Sequence, residues 1–347
     1  MFDISLFYYQ LKFKRTFNLA HGSRDFTELV YVKISDGKNS GLGEIALPPY
    51  LGVTVEHVVN FFRNLDIQSN ILSDHNSLIA FLNNIAKTCL PGLAGLDMAL
   101  HDLLGKKVKL PVYRFYSLSA ALNKSTMITL SPTNGDQMKQ YFDENPDAEF
   151  YKIKFSNDKE KELIKSYREI SDKPFGVDVN EGWNNKERAI ELVHFLQESG
   201  VVFIEQPFPK ARIKEQEWLF ERSDLPLIAD ESFQKKDDLD EVGKYFHGIN
   251  IKLMKCGGIL PAFNILKAAK DKKLKILVGC MSESSAGISA AAQLASMVDW
   301  IDLDGPILTA NDPVNGILEG IELNFNNKPG LGIEFRSADE LKLEKLL

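Results

Sequence analysis

Three carboxylates stand at matching places in three successive β-like runs of the sequence. Asp178 lies in FGVDVN, Glu205 in VFIEQP and Asp230 in PLIADES. Like charges in one cavity repel, so each carboxyl group would stay protonated unless a cation were present. Oxygen ligands without His or Cys favour a hard divalent ion, Mg²⁺ first. The pattern predicts a magnesium site, and the alternative is three unrelated loop-cap or salt-bridge carboxylates.

Two lysines flank this triad, Lys154 in YKIKF and Lys252 in INIKL. If they face each other across the metal, they can reach one substrate carbon from opposite sides. A lysine has a reference pKa of about 10.4, so its use as a base requires a neighbouring ammonium group and a cation. Lys152, two residues before Lys154 and on the same side of the strand, is the candidate neighbour. Lys255, in LMKCGG, is predicted to be a loop residue rather than a base.

Eight β-rich runs would position these residues. They are MITLS (127–131), YKIKF (151–155), FGVDVN (175–180), VFIEQP (202–207), PLIADES (226–232), INIKL (249–253), KILVGC (275–280) and WIDLD (300–304). The strand-end residues from Lys154 to Lys252 recur every 22–27 residues. Units of this length favour a parallel sheet with helical crossovers, and eight of them favour a closed barrel whose strand ends meet at one catalytic face. A doubly wound open sheet is the alternative, but no Gly-rich dinucleotide loop follows a first strand.

The first third of the chain predicts a different, α+β arrangement. Residues 3–17 and 28–36 have the alternation and aromatic content of strands. Helical spacing of apolar residues follows over 54–65, 74–87 and 95–107. Two stretches between these elements, 18–25 and 47–52, are predicted to be loops.

Composition excludes several classes of protein. The chain has 347 residues, of which 44% are hydrophobic and 26% charged, as in an ordinary globular protein with one large and one smaller domain. Its net charge of −7 and its scattered basic residues argue against a nucleic-acid partner. No signal-peptide pattern and no run of about 18 apolar residues is evident, so no membrane association is expected. Three widely separated cysteines favour a reducing compartment, and a cytoplasmic location is expected.

As a set, these motifs resemble the enolase superfamily, in its muconate-lactonising-enzyme subgroup. YKIKF resembles the Lys-x-Lys strand of that family, and INIKLMKCGG resembles its opposing lysine segment. DVNEGW, IEQP and IADES resemble its three metal-ligand segments, and KPGLGIEF resembles the stretch that returns to the cap. The resemblance implies an α/β fold, a modified TIM barrel of (β/α)7β type with an α+β N-terminal capping domain. The expected segments are a cap over 1–120, a barrel over 121–320 and a C-terminal segment over 321–347.

The resemblance also implies roles for individual residues. Asp178, Glu205 and Asp230 would bind Mg²⁺, and Lys152 would help to hold a substrate carboxylate. Lys154 and Lys252 would be an acid–base pair that removes the proton next to that carboxylate and returns a proton on the opposite face. Two bases on opposite faces are what such a 1,1-proton transfer requires.

The late strands indicate a branch of the superfamily. No His follows His247, which argues against the mandelate-racemase branch. GCMSESSAG and DLDGP resemble the dipeptide epimerases, in which Asp302 and Asp304 would hold the free α-ammonium group of a small dipeptide; the alternative for this pair is a strand-end cap. The implied function is a dipeptide epimerase, an isomerase acting on substrates like L-Ala-D/L-Glu, and a homo-oligomer is expected because barrels of this size commonly associate.

Other reactions remain open from the residues alone. An o-succinylbenzoate synthase or a muconate cycloisomerase would need only one lysine as base and no aspartate pair for a cation. A Schiff-base aldolase could also use a barrel lysine, and a non-catalytic carboxylate or metal binder could retain the fold. The aldolase reading does not account for three carboxylates on successive strands.

Specificity is expected to depend on loops of the cap and of the seventh strand. In Ala–Glu epimerases an arginine of the first cap loop can pair with the glutamate side chain. In FNLAHGSRDF that position holds Gly22, and Arg24 lies two residues further on. The candidate substrate contacts are His21, Ser23, Arg24, Pro49, Tyr50, Leu51, Met281, Ser282 and Glu283.

Overall fold

The structure, a computed structural model, describes residues 2–19, 22–121, 124–155, 159–336 and 343–347. The chain first forms an antiparallel sheet with helices packed on it and then an eight-stranded parallel sheet. Within the described ranges, none of the helices is both long enough and apolar enough to span a bilayer.

The antiparallel sheet contains three long strands of the first 46 residues and one short strand near the end of the chain. These are β1 (Asp3–Leu19), β2 (Gly22–Ser35), β3 (Ser40–Ala46) and β16 (Glu344–Lys345), in the order β16-β1-β2-β3. The predicted loop over 18–25 is wrong, because β1 continues to Leu19, β2 begins at Gly22, and these two residues are paired. Cross-strand hydrogen bonds satisfy the backbone of this polar hairpin, so its composition alone did not indicate a strand.

Three helices cover this sheet, and their bounds are close to the predicted ones. They are α1 (Val55–Arg63), α2 (His75–Asn84) and α3 (Leu90–Val108). The side chains of Thr54 and Asp74 accept hydrogen bonds from the first turns of α1 and α2, as N-cap residues do. Helix α3 lies against β3 so closely that a Cβ at Gly43 would be 2.0 Å from the carbonyl oxygen of Gly95. Short 3₁₀ helices occupy Pro49–Leu51, Ser69–Leu72, Val112–Tyr116, Lys236–Asp238 and Ala295–Met297.

The parallel sheet matches the eight predicted runs. Its strands are β4 (Ile128–Leu130), β5 (Tyr151–Lys154), β6 (Phe175–Asp178), β7 (Val201–Glu205), β8 (Leu227–Ala229), β9 (Gly248–Ile251), β10 (Lys275–Gly279) and β11 (Trp300–Asp302), in sequential order. A hydrogen bond of 2.9 Å from the amide of Met127 to the carbonyl of Ile301 joins the first strand to the last. The predicted α/β fold, a (β/α)7β barrel with an antiparallel sheet at the N-terminus, is confirmed.

Helices alternate with the barrel strands. They are α4 (Gly135–Glu144), α5 (Glu160–Ile170), α6 (Lys186–Glu198), α7 (Ile213–Phe220), α8 (Leu239–Val242), α9 (Leu253–Cys256), α10 (Ile259–Asp271), α11 (Ser285–Ala292) and α12 (Gly305–Leu308). Four short strands follow and form two antiparallel pairs. β12 (Val314–Asn315) pairs with β15 (Glu334–Phe335), and β13 (Leu318–Glu319) pairs with β14 (Glu322–Leu323). The proposed division of the chain at residues 120 and 320 stays a prediction.

Strand register brings the predicted site residues to one end of the barrel. Lys154 is the pairing partner of Asp178, and Asp178 is the pairing partner of Glu205. The strands themselves are apolar and buried, so their charged residues fall where the strands open into loops. Parallel strands expose their C-terminal ends at the same face, which is where these three side chains meet.

The hairpin of β1 and β2 is joined to the chain that follows the last barrel strand. The amide of Ala310 donates to the carbonyl of Lys12 over 2.8 Å. The amide of Lys12 in turn donates to the Asn311 side chain over 2.7 Å. These contacts hold the hairpin beside the open end of the barrel.

Candidate active site

One wall of the site, at the second and third barrel strands, is built around Asp178, which ends the third strand. The ammonium group of Lys154 donates to Asp178 Oδ2 over 2.6 Å and to Asn180 Oδ1 over 3.2 Å. The amide of Asn180 donates to Asp178 Oδ1 over 3.0 Å. Asn180 adopts a left-handed backbone conformation with φ of 46°, which turns the chain back so that its amide reaches this oxygen. Burial opposes ionisation, but Lys154 and then Lys152 lower the pKa of Asp178 overall.

The other wall, at the fifth and sixth barrel strands, is built around Asp230, which follows the fifth strand. Lys252, which directly follows β9, donates to Asp230 Oδ2 over 2.7 Å. Lys255 donates to Asp230 Oδ1 over 2.7 Å. Although Asp230 is buried, the attraction of Lys252 and Lys255 lowers its pKa. Lys255 was expected to be a loop residue; it is instead a buried residue of the short helix α9, where hydrogen bonds to Asp230 and to the carbonyl of Asn250 satisfy its ammonium group.

Lys152 lies between the carboxylates of the two middle strands and the last strand. Its ammonium group donates to Glu205 Oε2 over 3.1 Å, is 3.6 Å from Asp178 Oδ2 and contacts Asp302 Oδ2. Burial works against its charge, but Asp302 and Glu205 raise the pKa of Lys152 well above its ordinary value. The pKa of Glu205 is raised to about 7 by burial and by Asp178.

Asp302 and Asp304 both face the first strand of the barrel. Asp304 Oδ2 accepts a hydrogen bond of 2.6 Å from the amide of Thr129, whose hydroxyl group donates to Asp302 Oδ1 over 3.4 Å. Both carboxylates are almost completely buried, with 3–4% of their surface exposed. Burial and the neighbouring Asp302 raise the pKa of Asp304 to about 7. A cationic group entering here would therefore meet carboxylates with little water to compete.

The carboxylates do not form a preassembled metal cage. Among the described residues, no three His, Cys, Asp or Glu side chains are grouped closely enough to hold an ion together. The lysines account for this spacing, since Lys152 lies between Asp178, Glu205 and Asp302. The predicted metal role of Asp178, Glu205 and Asp230 therefore stays a prediction.

The charges and donor types of the site nevertheless fit a divalent cation. Six carboxylates (Asp178, Glu205, Asp230, Glu231, Asp302 and Asp304) surround four lysines (Lys152, Lys154, Lys252 and Lys255), a formal excess of two negative charges. The Oε2 atom of Glu231 is buried without a hydrogen-bond partner in the described structure. Burial and Asp230 raise the pKa of Glu231 to about 8. An oxygen-rich, negatively charged site of this kind suits Mg²⁺.

A cavity of about 650 Å³ opens above these groups. Its inner wall includes Lys152, Lys154, Asp230, Lys252, Asp302 and Asp304, and its outer wall includes Phe13, Arg24, Tyr50, Met281 and Ser282. The N-terminal sheet, the segment that follows it and the barrel thus all line one chamber. A volume of this size is in the range of small-molecule sites.

The predicted specificity residues are distributed around the mouth of this cavity. Arg24 is half-buried, and its Nη1 atom has no hydrogen-bond partner in the described structure. Burial lowers the pKa of Arg24, with some compensation from Tyr50. The hydroxyl group of Tyr50 donates to Met281 Sδ over 2.6 Å, while 56% of the Tyr50 surface is exposed. His21 and the side chain of Ser23 lie outside the described residues.

Glu283 does not line the cavity but shapes the loop that does. Its carboxylate accepts a hydrogen bond of 2.7 Å from the amide of Met281. Behind it, the buried Glu44 of β3 accepts hydrogen bonds from the amide and hydroxyl groups of Ser284 at the start of α11. The predicted substrate contact at Glu283 therefore stays a prediction, and the structure gives this residue a loop-supporting contact.

Several polar residues of the site were not singled out from the sequence. Gln206 is fully buried, and its Oε1 atom accepts hydrogen bonds of 3.0 Å from the amides of Asp230 and Ser232. Asn250 is fully buried and donates to Glu205 Oε1 over 2.7 Å. A signal was present for Asn250, because it precedes Lys252 by two residues and so shares its side of β9. No comparable periodicity indicated Gln206.

Comparisons with known proteins agree with this geometry. Residues 136–339 match the family described as Enolase C-terminal domain-like. The L-Ala-D/L-Glu epimerase of Bacteroides thetaiotaomicron is 36% identical to this chain over 335 residues, which are 95% of this chain and 87% of that protein. This match extends over the N-terminal antiparallel sheet as well as the barrel.

Two solved structures have the same fold over nearly the whole chain. One is a substrate-liganded complex of the L-Ala-D/L-Glu epimerase from Bacillus subtilis, with a TM-score of 0.86, 25% identity and coverage of 95% of this chain and 98% of that one. The other is a dipeptide epimerase from Methylococcus capsulatus complexed with Mg and the dipeptide L-Arg-D-Lys, with a TM-score of 0.85, 26% identity and coverage of 96% and 99%. The chain therefore belongs to the enolase superfamily, within its group of dipeptide epimerases and related racemases.

Proposed function

We propose that this chain is a Mg²⁺-dependent dipeptide epimerase that inverts the α-carbon of the C-terminal residue of a dipeptide similar to L-Ala-D/L-Glu. The observation that carries the proposal is the placement of Lys154 and Lys252 at the ends of the second and sixth of eight barrel strands. In a closed barrel those strands lie on opposite walls. An isomerase that acts on one carbon from both faces requires that placement.

Lys154 and Lys252 would share the proton transfer. One lysine, in its neutral form, removes the α-proton from one face of the substrate carbon. The other, in its ammonium form, delivers a proton to the opposite face, and the configuration is inverted. In the reverse direction the two lysines exchange roles, so both epimers are substrates of the same site.

Asp178, Glu205 and Asp230 would hold the Mg²⁺ ion. They offer only carboxylate oxygens, they lie on three adjacent strands, and their surroundings carry excess negative charge. When bound, Mg²⁺ supplies a Lewis acid that stabilises the negative charge left on the substrate carboxylate after proton loss. The epimerase from Methylococcus capsulatus, of the same fold, was crystallised with Mg and a dipeptide.

Substrate orientation would come from charged groups on both sides of the chamber. Lys152 would hold the reacting carboxylate, and Asp302 with Asp304 would hold the free α-ammonium group. Arg24, whose Nη1 atom has no hydrogen-bond partner among the described residues, lines the cavity and would meet an acidic side chain of the C-terminal residue. Tyr50, Met281 and Ser282 would border the remaining space.

Deuterium exchange tests the proposal directly. The purified protein is incubated with Mg²⁺ and a dipeptide library in D₂O, and the mass of each dipeptide and its epimer is followed. We expect one deuterium to enter at the α-carbon of the C-terminal residue, first in dipeptides that end in Glu or Asp. A protein that binds Mg²⁺ but exchanges no dipeptide of a broad panel would contradict the proposal.

A further inference from the structure

The two oxygens of each proposed ligand carboxylate have different kinds of partner. One oxygen is held by a lysine of the cavity wall: Asp178 Oδ2 by Lys154, Glu205 Oε2 by Lys152 and Asp230 Oδ2 by Lys252. The second oxygen is held by another donor: Asp178 Oδ1 by the amide of Asn180, Glu205 Oε1 by Asn250 and Asp230 Oδ1 by Lys255. Each carboxylate is therefore held at both of its oxygens, at one by a lysine that lines the cavity and at the other by a second donor.

Lys255 is fixed in place by three acceptors. Besides Asp230 Oδ1, its ammonium group donates to the carbonyl oxygens of Asp230 over 2.8 Å and of Asn250 over 3.1 Å. These contacts use all three of its N–H donors, and only 1% of its side chain is exposed. Such a lysine has no free donor to offer a substrate. Its contacts orient one aspartate.

Asn250 lies beside Glu205 and is confined by close packing, while its Oδ1 atom is buried without a hydrogen-bond partner in the described structure. Its amide nitrogen is the group that faces the carboxylate, since only that end of the side chain can donate. A Cβ on Gly279 of the neighbouring strand would lie 2.6 Å from Asn250 Oδ1 and 2.8 Å from Asn250 Nδ2. The absence of a side chain at Gly279 therefore makes room for the Asn250 amide.

We propose that Asn250 and Lys255 are positioning residues that fix the orientation of Glu205 and Asp230, the carboxylates that would bind Mg²⁺. This inference rests on the proposed function, because it concerns the metal of that site. Both residues belong to the short segment that also carries Lys252. The segment from 250 to 255 would thus set the acid–base lysine and two ligands of the metal relative to one another.

Two possible effects of Lys255, orienting Asp230 and repelling a cation, predict opposite changes in Mg²⁺ binding when Lys255 is replaced. Its ammonium group repels a nearby cation, so if charge alone mattered, a neutral replacement would strengthen Mg²⁺ binding. If Lys255 acts by orienting Asp230, the same replacement weakens binding, because the freed carboxylate rotates. Asn250 is neutral, so its replacement tests orientation without a change of charge.

The experiment measures Mg²⁺ binding to the purified, metal-stripped protein by isothermal titration calorimetry. It also follows the increase in melting temperature that Mg²⁺ produces, which registers binding even in a destabilised variant. The variants are Lys255→Met, Asn250→Leu and Gly279→Ala. Lys106→Met is the matched control, since Lys106 also donates to a buried aspartate, Asp102, over 2.7 Å but lies in α3 of the cap.

We expect Lys255→Met and Asn250→Leu to weaken Mg²⁺ binding about tenfold to a hundredfold, as the loss of residues behind metal ligands commonly does. Gly279→Ala should weaken it as well, although that variant removes no donor. Lys106→Met should lower the melting temperature and leave the Mg²⁺ dissociation constant unchanged.

Unchanged or stronger Mg²⁺ binding in Lys255→Met and Asn250→Leu would overturn the inference. If Lys255→Met does not fold, Asn250→Leu and Gly279→Ala decide the question by the same criterion. Failure of the wild-type protein to bind Mg²⁺ would instead contradict the proposed function, so the two failures can be told apart.

Discussion

Lys154 and Lys252 each place an ammonium group 2.6–2.7 Å from an aspartate oxygen, yet the two walls of the cavity differ behind that contact. At Asp178 the second oxygen accepts from the backbone amide of Asn180, two residues along the same loop. At Asp230 the second oxygen accepts from the side chain of Lys255, which comes from a different strand-to-helix connection. One wall is arranged by a local turn and the other by a distant side chain.

The orientation of Asp178 therefore depends on a backbone donor, and the orientation of Asp230 depends on a side-chain donor. A backbone amide stays in place whatever residue carries it, provided that the turn keeps its conformation. A side-chain donor can be removed by one substitution. We therefore expect the Asp178 wall to tolerate substitution behind the carboxylate better than the Asp230 wall does.

The largest expected effect comes from removing either acid–base lysine. Lys154→Met and Lys252→Met should each reduce epimerisation about a thousandfold, within the range for loss of a general acid or base. Each variant should still exchange the α-proton of one epimer in D₂O, and the retained epimer should differ between the two variants. Exchange of both epimers at the wild-type rate in either variant would mean that this lysine does not act on the α-carbon.

The second largest effect is expected at Asp302. Its carboxylate contacts the ammonium group of Lys152, which also lies near Asp178. Asp302→Asn should reduce kcat/KM for dipeptides about tenfold to a hundredfold, because the α-ammonium group and Lys152 both lose a buried counter-charge. Asp299→Asn is the control. Asp299 directly precedes β11, the strand that ends at Asp302, and it accepts a hydrogen bond from Lys275. An unaltered kcat/KM in Asp302→Asn would show that Asp302 does not hold the α-ammonium group of the dipeptide.

A smaller effect is expected at Asn180, where the local turn itself is tested. Asn180→Gly keeps the left-handed backbone and its amide but removes the side-chain contact of 3.2 Å to Lys154. We expect about a tenfold loss of exchange, confined to the epimer that depends on Lys154, from the lost hydrogen bond to a charged group. Asn326→Gly, at another left-handed asparagine with φ of 45°, should leave both rates unchanged. An equal loss for both epimers would show that Asn180 supports the whole site rather than one wall.

The smallest effect concerns the buried carboxylate of Glu44, which accepts hydrogen bonds from Ser284 and Gly287. Burial and Glu283 raise the pKa of Glu44 well above its ordinary value, the reverse of Asp230. Because the folded-state pKa exceeds the unfolded value near 4.5, this stability contribution is complete at low pH and declines as pH rises through the folded-state pKa.

Glu44→Gln should therefore flatten the decline of melting temperature between pH 5 and pH 8 by a few degrees, in the range of a change of about 1 kcal/mol. The exposed Glu28 of β2 provides the control, and Glu28→Gln should leave the slope as it is in the wild type. A steeper decline in Glu44→Gln would show that the ionised form is the one that the fold stabilises.

Much of the barrel could be predicted because its chemistry is periodic. Strand-end charges recur once per βα unit, and each predicted run contains or overlaps the observed strand. Lys154, Asp178 and Glu205 meet because register in a parallel sheet follows from those repeats. The isomerase assignment and the superfamily followed from the same set of motifs and are confirmed.

The hairpin and the residues behind the carboxylates could not be predicted, because their contacts leave no periodic pattern in the sequence. The polar hairpin at 18–25 is paired through its backbone, which composition does not record. Lys255 and Gln206 have their roles only in relation to Asp230, a residue of another connection. The homo-oligomer and the cytoplasmic location stay predictions.

The hydrogen bonds between Lys12 and the pair Ala310 and Asn311 also bear on the order of events during translation. The strands that carry Asp178, Glu205 and Asp230 leave the ribosome long before residue 310 does. The β1–β2 hairpin pairs with β3 early, but its contacts with Ala310 and Asn311 form only after the last barrel strand has emerged. Closure of the substrate chamber is thereby deferred to the end of synthesis, and a prematurely terminated chain would expose its lysines and carboxylates to solvent.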